Sequence, residues 1–545
     1  MDSLERQMIR AELVQRREEG CDVAQLAPRV EQAFADEDTD PAVFTALYDE
    51  LDALEPDPSF PYEEPSDLET IRALRPDGPR RMDLDLADET MRDRIYGGWL
   101  GRAAGCSLGK PVEGWPRKRI DAYLESTHAL PLDHYIPFTE GSISPFLKTS
   151  TRDNIEFMAR DDDMDYPILG LLALERHGGE LTSRHMANTW LSRMPFQMLY
   201  TAENVAYRNF VNRRWPPESA LWRNPFREWI GAQIRADIFG YVTPGWPEKA
   251  AELAYRDASI SHVKNGIYGE MFVASMLAAS FVTSDIEEIV RIGLSEIPEK
   301  CRLSEAVHQT LSWCRELSDW EKVWDRIFEK YGHYSGVHTI NNAALVVMGL
   351  FFGSNDYENG IVVTVRGGWD TDCNGATVGS ILGAKFGAGS LPDKWIGVLG
   401  DRLMSVVRDC NDNRISELAE RTHRVAIGML LPSAEEEDAE ALVDGAVGEL
   451  RGKWALDVSF GKQVLTVNDD WTGRIEMTAF GEVSKVRNIR VEGNKVSFVY
   501  GVNKGEMVID IEFEGTIKGD RLKGLCGSNG HEFEMSGVRI RPTAV

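Results

Sequence analysis

Cysteine is scarce in this sequence, and its placement excludes two kinds of stabilising framework. Seven cysteines occur in 545 residues, and no two form a Cys-x-x-Cys pair. Short zinc motifs and the disulfide frameworks of small secreted domains both need closely spaced cysteines. The thiols are therefore predicted to be reduced, as in cytoplasmic proteins. They are Cys21, Cys106, Cys301, Cys314, Cys373, Cys410 and Cys526.

The sequence also has few basic residues relative to acidic ones and lacks long apolar runs. Lys and Arg number 60 against 88 Asp and Glu, which gives a formal net charge of −28. This charge excludes nucleic acid as a general partner, because binding to phosphates needs a basic surface. The longest apolar runs, 271–282 and 343–352, are too short to span a bilayer, and the first twenty residues lack the apolar core of a signal peptide. We expect a cytoplasmic protein with no membrane partner.

The patterning divides the chain into four parts. Residues 1–85 are acidic and helical in pattern, and we interpret them as an accessory helical segment. Residues 86–431 carry Ala, Leu and Gly at helical spacing and predict an all-α domain, with helices at 91–108, 161–177, 247–255, 268–282, 341–352, 374–386 and 413–429. Acidic residues at 432–449 predict a linker. Alternating residues in 450–545 predict a small antiparallel β-barrel or sandwich.

One concentration of acid follows a Gly-Gly-Trp sequence at residues 367–369. Asp370, Asp372 and Asn374 offer hard oxygen donors there, and the glycines let the backbone turn, which indicates a cation site at the entrance to a helix. An EF-hand calcium loop would require Glu at its twelfth position, where this chain has Ile381. The motif therefore needs ligands from elsewhere in the chain.

A second concentration consists of Asp161, Asp162 and Asp163, at the start of a helical pattern. One Asp would serve as a helix cap, but three adjacent carboxylates repel one another unless a cation relieves them. Glu113, in a Gly-Lys-Pro-Val-Glu-Gly sequence, is the third acidic element and by itself is typical of a surface loop. Carboxylates select Mg²⁺, Mn²⁺ or Ca²⁺ over zinc or copper, and this many could hold a pair of ions.

Two rows of glycines at four-residue intervals accompany these motifs. A glycine inside a helix costs about 1 kcal/mol relative to alanine, so each row indicates a face that another backbone or a ligand approaches closely. Close helix packing and a site flanked by helices are both compatible with the rows, because one leads to Glu113 and the other follows Asp372. The rows are Gly97, Gly101, Gly105 and Gly109, and Gly375, Gly379, Gly383 and Gly387.

With these three segments in this order, the chain resembles the ADP-ribosylglycohydrolases over about residues 90–430. Residues 95–101 (IYGGWLG) lead to Glu113; 161–164 (DDDM) stand where the family has Thr-Asp-Asp-Thr; 367–374 (GGWDTDCN) stand where it has Gly-Gly-Asp-Thr-Asp-Thr. The resemblance implies an all-α orthogonal bundle with a binuclear magnesium site between its helices. It implies two Mg²⁺ ions, with Mn²⁺ as the alternative.

The resemblance also implies site residues, carried over position by position. Glu113, Asp163 and Asp370 are the implied catalytic residues. The implied metal ligands are Asp161, Asp162, Asp163, Asp370, Asp372 and Cys373. Three positions depart from the family pattern: Asp161 and Cys373 each replace a Thr, and Trp369 is inserted. A thiol is a poor ligand for Mg²⁺, and the departures leave the substrate open.

The function implied is a Mg-dependent hydrolase that cleaves an N- or O-glycosidic bond of an ADP-ribosyl or related ribosyl substrate, free or protein-linked. Such hydrolysis passes through an oxocarbenium-like state that carboxylates stabilise. Glu113 is the acid/base candidate, because it lies outside the two Asp clusters. The alternative is a catalytically inactive metal-bearing scaffold that binds an ADP-ribosyl or nucleotide ligand, and a phosphohydrolase is a third option.

Several other residues have a structural and a functional interpretation. In the structural interpretation, the aromatic and basic residues among them lie in the core or on the surface. In the functional interpretation, they contact a base, a ribose or a pyrophosphate. These residues are Trp115, Trp369, His262, His338, Arg208, Arg227 and Arg235. In the β region, Gly452-Lys453-Trp454 and Arg539 resemble the Gly-x-Trp motif and closing Arg of lipocalins.

Overall fold

The computed structural model describes residues 4–430 and 450–540, except 459–460, 469–470, 478–481, 493, 505–506 and 529–530. The protein divides into two compact units, one formed by Met1–Ala173 and Glu180–Glu420 and the other by Leu174–Gly179 and Arg421–Val545. The predicted linker at 432–449 lies outside the described residues. Of the helices described, none combines the length and hydropathy that a bilayer crossing requires.

The chain is helical up to Leu430. Its N-terminal part contains α1 (Leu4–Glu18), α2 (Leu26–Phe34), α3 (Pro41–Asp52) and α4 (Leu68–Leu74). The following helices are α5 (Asp88–Gly109), α6 (Arg117–Ser126), α7 (Asp162–His177), α8 (Ser183–Arg193), α9 (Thr201–Val211), α10 (Glu218–Leu221), α11 (Asp237–Tyr241), α12 (Pro247–Ala258), α13 (Asn265–Ser280) and α14 (Ile286–Leu294). The last are α15 (Arg302–Leu317), α16 (Trp320–Tyr331), α17 (Thr339–Phe352), α18 (Tyr357–Arg366), α19 (Thr371–Phe386), α20 (Asp393–Ile396) and α21 (Ile415–Leu430).

Each of the helices predicted from the sequence is present, with ends shifted by up to three residues. The shift matters at α19, which begins at Thr371 rather than at residue 374, so Asp372 and Cys373 lie in its first turn. Acidic residues are favourable there because the helix dipole is positive at the N-terminus. Helix α21 begins later than predicted, because a short antiparallel pair, β1 (Arg402–Met404) and β2 (Asp412–Arg414), precedes it.

The two glycine rows pack against each other and join α5 to α19 in antiparallel orientation. A Cβ atom on Gly101 would lie 2.1 Å from the carbonyl oxygen of Gly379, and one on Gly105 would lie 1.9 Å from that of Gly375. At the end of the rows, the Thr371 hydroxyl donates to the carbonyl of Gly109 at 2.8 Å. The interpretation as close helix packing is therefore confirmed. The packing also brings the end of α5 to the start of α19, where the other interpretation expects a site.

The N-terminal helices belong to the first compact unit and are joined to it by buried ion pairs. The guanidinium of Arg227 donates to Glu12 at 2.8 Å and to Glu19 at 2.9 Å, and all three side chains are at most 3% exposed. Arg302 pairs with Glu64 at 2.7 Å in the same way. Residues 1–85 are thus a structural part of the helical unit.

The C-terminal strands close into an antiparallel barrel in the order β10-β3-β4-β5-β6-β7-β8-β9. The strands are β3 (Gly452–Val458), β4 (Gly461–Val467), β5 (Gly473–Met477), β6 (Glu482–Glu492), β7 (Lys495–Lys504), β8 (Met507–Lys518), β9 (Arg521–Ser528) and β10 (His531–Ile540). Apolar side chains such as Phe498 and Phe513 fill the interior. The Arg539 guanidinium lies 4.4 Å from the ring centroid of Trp454, so the two residues of the lipocalin-like pattern do meet. The sequence predicted either a barrel or a sandwich, and the closed ring of strands shows that it is a barrel.

Candidate metal centre

Three chain segments bring their acidic residues to one place. Glu113 follows a 3-10 turn, Lys110–Val112, at the end of α5; Asp161 to Asp163 lie at the start of α7; Asp370 to Cys373 lie at the start of α19. Potential ligand atoms lie within 4.8 Å of one another in three groups: Cys106, Asp161 and Asp163; Asp163, Asp372 and Cys373; Glu113, Asp370 and Asp372. Because Asp163 and Asp372 each belong to two groups, the three form one continuous cluster.

The cluster is buried except at one end. Asp161, Asp163, Asp370 and Asp372 are at most 4% exposed, whereas the side chain of Glu113 is exposed. A substrate would therefore reach the cluster from the side of Glu113. Asp162 is half-buried and belongs to none of the three groups among the described residues, so its role as a ligand stays a prediction.

Part of the cluster is neutralised by cations from the protein itself. The ammonium of Lys110 donates to Oδ2 of Asp161 and to the carbonyl of Arg160, each at 2.5 Å. Arg102, fully buried, donates to the carbonyl of Asp163 at 2.8 Å and to its Oδ1 at 3.3 Å. The thiol of Cys373 donates to Oδ2 of Asp163 at 3.2 Å. The carboxylates of Asp161 and Asp163 thus have partners.

The opposite part of the cluster has carboxylate oxygens without partners. Within the described part of the chain, nothing hydrogen-bonds to Oδ1 of Asp370 or to Oδ1 of Asp372, although both atoms are buried. A buried ionised oxygen without a partner is costly, and a bound cation satisfies it. With Glu113 beside them, these residues offer oxygen ligands alone, which suits a hard divalent cation.

The pKa values set Asp161 apart from the other buried carboxylates of the cluster. Burial and then repulsion from Asp161 hold the pKa of Asp163 well above its ordinary value, although Arg102 is adjacent. Burial and then Asp161 raise the pKa of Asp372 to about 6, and burial and then Asp372 hold the pKa of Asp370 well above its ordinary value. Repulsion from Asp372, with burial second, raises the pKa of Glu113 to about 9. For Asp161, burial opposes ionisation, but the adjacent Lys110 ammonium outweighs it and lowers the pKa. The protein's own cations therefore compensate Asp161 but not the Glu113 side.

The inserted Trp369 fixes the loop that carries Glu113. Its backbone has a φ of 61°, in the left-handed region, and its carbonyl accepts a hydrogen bond from the backbone N–H of Gly114 at 2.9 Å. Its ring stacks on Phe328 with the centroids 6.2 Å apart. The insertion therefore joins the Glu113 loop to the Asp370 loop, while the ring of Trp115 packs edge-on against Tyr123.

The two histidines singled out from the sequence occupy structural positions. His262 is fully buried with Nδ1 2.8 Å from the Ser261 hydroxyl, and burial holds its pKa well below the ordinary value. His338 caps α17, because its Nδ1 accepts from the backbone N–H of Ile340 at 3.2 Å. Neither histidine belongs to the groups of potential metal ligands among the described residues.

Of the arginines considered as pyrophosphate partners, two form ion pairs inside the fold and the third lies on α9. Arg227 is paired with the N-terminal glutamates, and Arg235 pairs with Glu203 at 2.9 Å and also with Asp257. Arg208 is half-buried on α9, and burial lowers its pKa. The structural interpretation applies to Arg227 and Arg235.

Sequence reasoning missed three residues of the cluster, and one signal could have revealed them. Arg102, Cys106 and Lys110 are spaced by four residues, so they form one stripe on α5 beside the glycine row. An arginine among the small residues that dominate the second half of α5 indicates a buried anion nearby. Asn342 was also missed; its Oδ1 accepts from Asn374 Nδ2 at 2.7 Å and fixes the first turns of α19.

The fold and the cluster define a class: an all-α domain with a buried carboxylate cluster, at two helix N-termini, that could hold a metal ion. The sequence model of the family described as ADP-ribosylglycohydrolase matches residues 87–429, which is more than half of the chain. The chain therefore belongs to the ADP-ribosylglycohydrolase family, whose members hydrolyse glycosidic bonds.

Two further comparisons add nothing to this assignment. A solved structure described as an "ADP-ribosylglycohydrolase-related protein complex" aligns with 63% of this chain and 99% of its own at 17% identity and a TM-score of 0.41, a likeness too low to carry an inference. No curated protein sequence matches the chain. The assignment thus rests on the family match and covers the helical domain.

Proposed function

We propose that this protein is a hydrolase that cleaves an N- or O-glycosidic bond of an ADP-ribosyl or related ribosyl substrate, free or protein-linked, with the help of Mg²⁺. The observation that carries the proposal is the meeting of Glu113, Asp370 and Asp372, with two partnerless buried oxygens, in a domain of this family. The exposed Glu113 provides the side from which a substrate approaches.

Mg²⁺ is proposed because the ligands at this position are all oxygen, and Mn²⁺ is the alternative for the same reason. Asp370, Asp372 and Glu113 would hold the cation. When bound, it would supply Lewis-acid polarisation and orientation of substrate hydroxyls and water. The orphaned oxygens of Asp370 and Asp372 fit such an ion, since each would otherwise remain buried without a partner.

The chain's own residues supply the remaining chemistry. We assign Glu113 as the general acid/base, because its carboxyl is accessible and the contact from Gly114 to Trp369 fixes its loop. Asp163 and Asp370 are assigned the electrostatic part, which is stabilisation of the positive charge that develops on the ribose ring. Arg102 and the Cys373 thiol hold Asp163 in position for this.

Replacement of Asp372 by Asn tests the proposal. The change keeps the side-chain shape but removes the charge that the cation needs, so we expect the Mg²⁺-dependent rise in Tm to vanish and hydrolysis to fall by at least about 100-fold. The matched control is Asp412→Asn, an exposed carboxylate paired with Arg402. It should retain both properties.

Two outcomes would count against the proposal. Full hydrolysis in the presence of EDTA would exclude the metal-dependent mechanism. Binding of ADP-ribose by calorimetry, without product from any ADP-ribosyl substrate assayed alongside, would favour the inactive scaffold.

A further inference from the structure

The cluster contains two kinds of potential cation position. The position of Glu113, Asp370 and Asp372 has oxygen ligands alone, and it includes both partnerless oxygens. The other two groups each contain a thiol, Cys106 or Cys373. Mg²⁺ and Mn²⁺ prefer oxygen ligands, so by ligand type the first position suits them better than the other two.

At the other end of the cluster, a lysine already lies where a second cation would be expected. The Lys110 ammonium is 2.5 Å from Oδ2 of Asp161 and 2.5 Å from the carbonyl of Arg160. The side chains of Lys110 and Asp161 are 15% and 4% exposed, so solvent screens this pair weakly. A divalent cation at Asp161 would have to displace the ammonium or bind against its repulsion.

The remaining ligand of that end, Asp163, is occupied as well. Arg102 contacts its Oδ1 at 3.3 Å, and the Cys373 thiol contacts its Oδ2 at 3.2 Å. A thiol that donates its proton to a carboxylate is satisfied without a metal. Each oxygen of Asp163 therefore has a donor from the protein.

We propose that this centre binds one divalent cation, at Glu113, Asp370 and Asp372, and that the Lys110 ammonium takes the place of a second cation beside Asp161. The inference rests on the proposed function for the identity of the site but concerns the number of ions, for which the sequence predicted two. It follows from the contacts of Lys110, Arg102 and Cys373, which give Oδ2 of Asp161 and both carboxylate oxygens of Asp163 donors from the protein itself.

Metal stoichiometry of the full chain tests the proposal directly. After equilibrium dialysis against Mn²⁺, elemental analysis should give one ion per chain, and the electron paramagnetic resonance spectrum should be that of an isolated Mn²⁺. Two ions per chain with spin coupling would overturn the proposal. This measurement needs no variant and no substrate.

A lysine variant tests the part assigned to Lys110. Lys110→Met removes the ammonium and leaves Asp161 unpaired, so we expect the stoichiometry to rise from one to two. Lys118→Met, at an exposed position on α6, should stay at one. Circular dichroism checks that both variants fold, and a folded Lys110→Met protein that still binds one ion would overturn the assignment of Lys110.

The thiols provide a third readout. The Co²⁺-loaded protein should show no thiolate-to-metal charge-transfer absorption, because neither Cys106 nor Cys373 is assigned as a ligand. Such a band, lost in Cys373→Ser but retained in Cys314→Ser, would overturn the proposal by showing a sulfur-ligated ion. A protein with one ion and no hydrolysis would refute the proposed function alone, and an active protein with two ions would refute the ion count alone.

Discussion

Single buried side chains in this protein are held in one protonation state by their surroundings. His338 is the best example, since it is fully buried and burial lowers its pKa from 6.5 to about 3. Glu18 lies 3.8 Å from its Nε2, and Glu228 and Arg302 act on it from neighbouring elements. The cap of α17 needs a neutral imidazole, because Nδ1 of His338 must accept a hydrogen bond from the backbone N–H of Ile340.

The pH dependence of stability should reveal this histidine. An unfolded chain binds a proton at His338 below pH 6.5 and the folded protein does so only near 3, so the stability is present above 6.5 and is lost as the pH falls. His338→Asn keeps a capping acceptor without titrating. Between pH 7 and pH 5, the wild type should lose about 2 kcal/mol more free energy of unfolding than this variant, by denaturant titration.

The control for this comparison is the exposed His128. In His128→Asn, the pH dependence should match that of the wild type. Parallel pH curves for the wild type and His338→Asn would show that the imidazole of His338 titrates normally in the folded protein.

At the scale of elements, the packing of α5 on α19 sets the position of the whole carboxylate cluster. The helices approach so closely that backbone meets backbone, and no side-chain rotation can relieve an added atom. Gly105→Ala places a Cβ 1.9 Å from the carbonyl of Gly375, so the helices must separate. We expect a loss of about 1–3 kcal/mol in the free energy of unfolding, despite the better helix propensity of alanine.

Gly389→Ala is the matched control for this prediction. Its added Cβ would meet only Asp93 at 3.7 Å, which is ordinary contact, and its φ is unremarkable. The denaturation midpoint should therefore change little. Equal free energies of unfolding for Gly105→Ala and Gly389→Ala would contradict the close backbone packing of α5 against α19.

At the scale of the whole molecule, the described residues of the candidate metal centre all belong to the first compact unit. The barrel has an apolar core of its own, with Trp454, Phe498 and Phe513 inside. A chain ending at Leu430 should therefore retain the full Mg²⁺-dependent rise in Tm, measured by calorimetry next to the complete chain. Loss of that rise in a folded shortened protein would show that the barrel is needed for cation binding.

The sequence predicted those features for which residue type and residue spacing both give a signal. Helical periodicity located α5, α7 and α19, and the crowding of Asp161 and Asp370 with their neighbours located the cluster. What escaped prediction depends on which faces of separate helices meet. Nothing in the order of residues places Lys110 against Asp161, because that contact exists only once α5 and α7 have packed.

The ion pairs of the N-terminal helices also have a consequence for how this protein is made. Arg227 lies 215 residues after Glu12 and 208 after Glu19, and Arg302 lies 238 after Glu64. At ribosomal rates of about 5–20 residues per second, α1 must wait about 10–40 s for its buried partner to be synthesised. The N-terminal helices therefore cannot form these ion pairs until Arg227 and Arg302 have been synthesised, and their acidic side chains remain in water until then.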